Sequence, residues 1–191
     1  KQPVRLSRSM AVCTKHSCVN LPSAFVMPSP VSSPLHCAAV DLGATSGRVI
    51  LGTWHAGELV TQEIYRFSNQ IHRVGEHDYW DLAGMWTHLK MGLTKAAAAL
   101  PEGERIASVG VDTWGVDHVL LSAEGRLVFP AHAYRDPRTR RGLEELTENS
   151  RDHLRIYKHT GIPAVFYNTS LQLAETVRSF PEMGTLTQRC L

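Results

Sequence analysis

The sequence predicts an α/β domain in which a β-meander precedes a helix and a further strand. Three observations carry that expectation. Apolar and polar residues alternate from Cys37 to Ser68, interrupted by short glycine-containing turns. Residues 82–100 repeat their apolar positions at three-to-four spacing instead. A compact run, "IASVGVDT", follows and, like the first strand, ends in an aspartate.

Each element has its own signal. "CAAV" leads to Asp41, a turn runs from Gly43 to Ser46, and "RVILGTW" and "LVTQEIYRFS" form two more strands around a His-Ala-Gly turn. Residues 69–79 are polar and read as a loop. A helix from Leu82 to Leu100 is capped by Asp81 and ended by Pro101, with Met85, Trp86, Leu89, Leu93 and Ala97 facing the sheet. After the next strand, "DHVLLSAEGRLVF" reads as a hairpin closed by Glu124 and Gly125. "AYRDPRTRR" is a loop, and helical segments follow near 138–148 and 150–158. Gly161 and Pro163 break the pattern before a last helix from Ser170 to Ser179.

With 191 residues, 43% hydrophobic and 20% charged, the chain suffices for one domain with a real core and falls short of two full ones. The net charge of +2 is uneven: Lys1, Arg5, Arg8 and Lys15 lie in an acid-free first 36 residues, leaving the remainder mildly acidic. No basic run or aromatic-interleaved patch follows, so no nucleic-acid partner is expected. No apolar run nears the roughly 18 residues that a bilayer requires, so no membrane partner is expected either. The four cysteines, Cys13, Cys18, Cys37 and Cys190, have no paired spacing and fit unpaired thiols in a reducing, cytoplasmic setting. Cys13, His16 and Cys18 would make half a zinc site, but no second pair follows. Residues 1–35, rich in Ser and Pro, are expected to be a poorly ordered extension, with Met10 or Met27 as a natural start.

The turn "VDLGATSGRV" combines groups suited to a nucleoside triphosphate. An aspartate ending a buried strand is costly unless a cation offsets its charge, and Asp41 is so placed. Gly43 and Gly47 permit backbone conformations in which successive N–H groups line a concavity for anionic oxygens. Thr45 and Ser46 add hydroxyls and Arg48 a fixed positive charge. An acid for hydrated Mg2+ and amides for phosphates are what phosphoryl transfer needs. The same residues also suit a tight hairpin with a capping aspartate. No Walker loop is present, and a strand follows these glycines, unlike a Rossmann turn.

The second turn, "GVDTWGVDHV", gathers Asp112, Trp114, Gly115 and Asp117. Trp114 offers a flat face for the C–H side of a sugar and Gly115 a close backbone approach, although a tryptophan beside a strand also serves as core. If the two strands are adjacent, their aspartate ends open onto one cleft. "AYRDPRT" brings Tyr134, Arg135, Asp136 and Arg138 together, which equally suits a surface ion-pair loop.

Taken in order, "AAVDLGATSGRVILG", "YRFSN", "WDLAGMW", "SVGVDTWGVDHVLL", "AYRDPRT" and "TGIPAVFYNTSLQL" resemble the amino-terminal part of the FGGY carbohydrate kinases, from about Cys37 to Ser179. The resemblance implies a ribonuclease-H-like domain of the actin/Hsp70 ATPase type with a mixed sheet, the first of two, truncated, and spanning residues 36–191. It implies transfer of the γ-phosphoryl group of Mg·ATP to a sugar hydroxyl, with L-rhamnulose as acceptor and L-rhamnulose 1-phosphate as product. By motif, Ala44, Thr45, Ser46, Gly47 and Arg48 contact ATP phosphates and Asp41 lies near Mg2+. Trp114, Gly115, Asp117, Tyr134 and Asp136 make the expected sugar-binding set. The family's general base, an aspartate in an SHDTA-type motif, has no counterpart and is expected beyond Leu191, so the chain alone is expected to be inactive. The alternatives are a kinase of another ketose or polyol, such as fuculose or xylulose, and a non-catalytic nucleotide- or sugar-binding relic.

Overall fold

The computed structural model describes residues 33–148 and 150–191. Both the extension expected over residues 1–35, up to residue 32, and the half zinc site at Cys13, His16 and Cys18 lie outside the described residues. The chain divides into two compact units. The first comprises residues up to Asp41, then Gly47–Phe67 and Leu89–Asp112; the second comprises Leu42–Ser46, Ser68–His88 and Thr113–Leu191. No helix among the described residues is long and apolar enough to cross a membrane.

The first unit is built on a four-stranded sheet. Strands β1 (Leu35–Leu42), β2 (Ser46–His55), β3 (Glu58–Ser68) and β6 (Ile106–Asp112) lie in the order β3-β2-β1-β6. The short connections from β1 to β2 and β2 to β3 leave those pairs no choice but antiparallel, since a parallel crossover needs a dozen residues. β6 arrives after a helix and pairs parallel with β1, so the sheet is mixed. At the β2–β3 turn, Ala56 (φ 52°) and Gly57 (φ 87°) both take left-handed conformations, whose twist matches that of the flanking strands.

Alternation buries His36, Ala38 and Val40 on β1, and Val49 and Leu51 on β2. The helix α1 (Leu82–Ala98) covers them: a Cβ on Gly92 would stand 2.4 Å from Val49 Cγ2, and Lys95 Nζ lies 4.4 Å from the centre of the Tyr65 ring. The buried positions of α1 are Met85, Gly92 and Ala96, with Leu89 and Leu93 half-buried. Trp86, expected to face the sheet, is 60% exposed, and Ala97 is exposed too. One residue is a rotation of about 100° on a helix, and the buried stripe lies that far from both. Asp81 caps the helix as expected, its Oδ1 accepting the Gly84 N–H at 2.8 Å.

In the second unit, the supposed loop at 69–79 is a hairpin of β4 (Ile71–Val74) and β5 (His77–Trp80), turning at Gly75 (φ 61°). All four β4 residues are exposed, so no buried alternation marked it. Residues 131–133 run beside β5: Trp80 N–H donates to Ala131 O at 2.9 Å and Ala133 N–H to Asp78 O at 2.8 Å. The turn expected at Glu124 and Gly125 is present, with Ser122 N–H donating to Arg126 O and Val128 N–H to Leu120 O. Its first strand, β7 (Leu120–Leu121), also pairs antiparallel with β8 (Arg189–Cys190). A 3-10 turn at Pro137–Thr139 leads into α2 (Arg140–Glu148) and α3 (Ser150–Thr160), then α4 (Thr169–Ser179) and a short α5 (Met183–Leu186).

Candidate functional site

The turn between β1 and β2 is braced by residues on either side of it. Gly43 N–H donates to Ser46 O at 2.9 Å, Asn69 N–H donates to Thr45 O at 3.1 Å, and the Asn69 side-chain amide donates to Gly43 O. Three carbonyls of the turn are thereby engaged as acceptors, and one of its own N–H groups, that of Gly43, is used within it. Thr45 is exposed and Ala44 half-buried. Asn69 has no place among the expected site residues; its only signal in the sequence was the final letter of "YRFSN".

The glycines of this turn have another reason than the one expected. Neither Gly43 nor Gly47 takes a positive φ. A Cβ on Gly47 would lie 2.2 Å from Phe67 Cζ, so this glycine makes room for a buried ring. A Cβ on Gly43 would lie 3.1 Å from Ser46 O, within the turn's own hydrogen bond.

Asp41 and Asp112 are register partners on the parallel strands β1 and β6. Partners in a pleated sheet share a face and stand about 4.8 Å apart, so both strand ends present a carboxylate to the same side. The Arg48 guanidinium, from β2, is ion-paired with Asp41. Fixed positive charge is therefore already directed at one of the two acids. Mg2+ binds through one or two carboxylates and keeps waters or phosphate oxygens for the rest of its shell, so this pair of acids suits it. Among the described residues no group of three or more His, Cys, Asp or Glu side chains could hold a metal by itself.

The second unit assembles an aromatic and carboxylate cluster. Trp114 stacks on Trp80 with ring centroids 4.5 Å apart and planes 29° from parallel, and Tyr134 lies 6.3 Å from Trp80. Tyr167 meets Tyr134 edge-on at 5.8 Å. The Trp80 indole N–H donates to Asp117 Oδ2 at 2.7 Å, while Asp117 Oδ1 is buried without a hydrogen-bond partner. Burial pushes the Asp117 carboxyl up to about 6, despite the indole donors of Trp80 and Trp114 that act the other way. The intervening backbone is pinned, because Val116 O accepts from Thr169 Oγ1 at 2.8 Å and Gln172 Nε2 at 3.0 Å. Gly115 is exposed, and a Cβ there would meet nothing within 4 Å. Nothing in the described chain demands a glycine at that point.

Asp136, grouped with the sugar-binding residues by sequence, is wholly buried. Its Oδ2 accepts the Asp78 N–H at 2.7 Å and its Oδ1 the Arg138 N–H at 3.0 Å, with the Arg138 guanidinium 3.4 Å away. Burial works against its charge, but these donors outweigh it and hold the carboxyl below the ordinary range. Arg138 also reaches Gln172 Oε1 at 3.0 Å, so Asp136 and Arg138 tie β5 and the 3-10 turn to α4. Around them burial lowers the His118 and His132 imidazoles, the latter to about 4, keeping both neutral beside Arg138.

Comparison with known proteins places this architecture. Residues 36–183 match the family model for the FGGY family of carbohydrate kinases, N-terminal domain. The chain is 46% identical over 140 residues to a rhamnulokinase of Bacteroides thetaiotaomicron, which covers 73% of this chain and 28% of that protein. It is 41% identical over 150 residues to a rhamnulokinase of Klebsiella pneumoniae, covering 78% and 30%. The chain thus spans less than a third of the length of these curated relatives. Among solved structures, a gluconate kinase from Lactobacillus acidophilus superposes with a TM-score of 0.71 at 12% identity, over 83% of this chain and 31% of that one. A ligand-bound xylulose kinase from the same organism gives 0.69 at 12% identity, over 81% and 31%. These distant likenesses show the fold alone: a mixed-sheet α/β domain of the ribonuclease-H-like, actin-type fold. On the match across residues 36–183, the chain belongs to the FGGY family of carbohydrate kinases.

Proposed function

We propose that this chain supplies the phosphate-binding turn and the sugar-binding surface of an ATP-dependent kinase that converts L-rhamnulose to L-rhamnulose 1-phosphate. The observation that carries the reading is the pairing of Asp41 with Asp112 at the ends of adjacent parallel strands, next to a turn whose carbonyls are engaged. Identity of 41–46% to proteins named rhamnulokinase supports the choice of sugar.

ATP, bound with Mg2+, supplies the phosphoryl group. The roles of the chain are to bind and orient, which is most of what phosphoryl transfer asks of a protein. Asp41 and Asp112 would hold hydrated Mg2+ through their carboxylates. The backbone from Ala44 to Gly47 and the hydroxyls of Thr45 and Ser46 would receive phosphate oxygens, and Arg48 would add a fixed positive charge beside them. Trp114 carries the C–H face of the ketose, with Tyr134 beside it. The Gly115 backbone approaches one hydroxyl, and Asp117 Oδ1 binds another. Asp136 holds this surface in place from beneath. Residues 1–191 contain no Ser-His-Asp base motif, so this polypeptide binds both ligands without appreciable turnover.

The test is a two-dimensional NMR titration of the chain with Mg2+ plus a non-hydrolysable ATP analogue, and separately with L-rhamnulose. The first is expected to shift the amides of 43–48 and the second those of 114–117. Saturating ligand that moves neither set overturns the proposal. A kinase assay on the same sample is expected to stay at background.

A further inference from the structure

We propose that Trp80 is a positioning residue for the candidate sugar surface, fixing through one side chain both the aromatic face of Trp114 and the carboxylate of Asp117. This inference rests on the sugar-binding reading given above. Trp80 lies on β5, in a hairpin that polar sequence had concealed, and is itself only 6% exposed. Its backbone N–H is anchored to Ala131 O at 2.9 Å, so the indole is set from a paired strand.

Two contacts leave this ring in different directions. Its face lies 4.5 Å from Trp114, centroid to centroid, and its edge N–H is 2.7 Å from Asp117 Oδ2. An indole has one N–H and donates once, so Trp80 engages Oδ2; Oδ1 is buried with no hydrogen bond of its own, although the Trp114 indole and the Gln172 amide also act on the carboxyl. An orphaned buried acceptor is costly, and a sugar hydroxyl delivered beside the Trp114 face would relieve it. The relative placement of an apolar platform and a hydroxyl-binding oxygen is what distinguishes one monosaccharide from another. Here a third residue that need not touch the sugar sets that placement.

The test compares Trp80→Phe, which retains an aromatic ring and loses the N–H, with Trp80→His, which retains a ring N–H. The probes are carbon-detected NMR titration of the Asp117 carboxyl and NMR titration with L-rhamnulose. Trp80→Phe is expected to raise the Asp117 midpoint above its value of about 6 and to weaken sugar binding about three- to tenfold, the loss of one hydrogen bond. Trp80→His is expected to recover part of both. A packing role alone would leave the Asp117 midpoint unmoved in both variants and overturn the inference. Should either variant fail to fold, the unaltered chain still decides. Its Trp80 indole N–H resonance must move with Asp117 titration and again with added L-rhamnulose, and an indole signal indifferent to both refutes the inference. L-rhamnulose that binds equally well to Trp80→Phe sinks this inference alone. L-rhamnulose that perturbs no resonance of the unaltered chain removes the sugar reading, and this inference with it.

Discussion

Asp41 and Asp112 stand side by side at the ends of two parallel strands, 71 positions apart in sequence and matched in register, with Arg48 paired to the first of them. Two carboxylates on one face repel unless a cation lies between them or nearby, and the chain supplies one such charge itself. Mn2+ is a convenient paramagnetic substitute for Mg2+. It is expected to broaden the amides around Asp41 and Asp112 first, and Asp112→Asn should weaken that broadening severalfold while leaving the melting temperature close to its original value. Broadening that is indifferent to Asp112→Asn would remove this acid from the metal site.

Gly47→Ala tests the packing reason for that glycine. The added methyl would enter the Phe67 ring, 2.2 Å from Cζ, and should destabilise the fold by about 1–3 kcal/mol. Combining it with Phe67→Leu should recover part of the loss, because the shorter side chain vacates the space. Urea denaturation of the two single variants and the double variant measures the coupling. Additive losses would mean that Phe67 is not the reason for the glycine.

Gly115→Ala separates folding from binding. The new Cβ meets open space, so stability should change by less than about 0.5 kcal/mol. L-rhamnulose binding, which brings a ligand into that space, should weaken markedly. A normal titration with L-rhamnulose would argue that the ketose does not approach here.

Asp117 and His132 make opposite contributions to the pH dependence of stability. Asp117 is raised from 3.8 to about 6 on folding, so its stabilisation is present below the unfolded value and lost as pH rises through about 6. His132 is lowered from 6.5 to about 4, so its stabilisation is present above 6.5 and lost as pH falls toward 4. Between about 4 and 6 the two largely cancel. Asp117→Asn should therefore uncover a loss of stability on acidification, and His132→Phe a loss on going from pH 4 to pH 6. Each should amount to about 1–2 kcal/mol once solvent screening is counted. Thermal melts across that range in both variants check the signs, and parallel curves in the two would contradict them.

Asp136→Ala should cost about 3–5 kcal/mol, since it strands the Arg138 guanidinium and two backbone N–H donors in the interior. Urea unfolding measures it. A loss below about 1 kcal/mol, combined with lost sugar binding, would return Asp136 to the ligand and away from the scaffold.

Much of the fold was legible from short stretches. The meander, the helix capped by Asp81, the strand ending at Asp112 and the helix α4 all announce themselves by period or by a capping residue a few positions away, whereas the short α5 after it does not. The hairpin at 71–80 did not, because an exposed strand need not alternate, and Trp86 was assigned to the wrong side by one helical step.

By itself the sequence determined the order of the meander, the long helix and the strand after it, the two strands carrying terminal aspartates, and the family, because these depend on residue types at fixed short spacings. Only the tertiary structure decided which groups meet: Arg48 with Asp41, Phe67 over Gly47, Trp80 with Asp117 across 37 positions, and Asp136 with the Asp78 amide across 58. The physical reason is that periodicity records which side of an element is apolar. The partner of a buried polar atom is chosen by how separate elements pack, and that choice leaves no local trace in the chain.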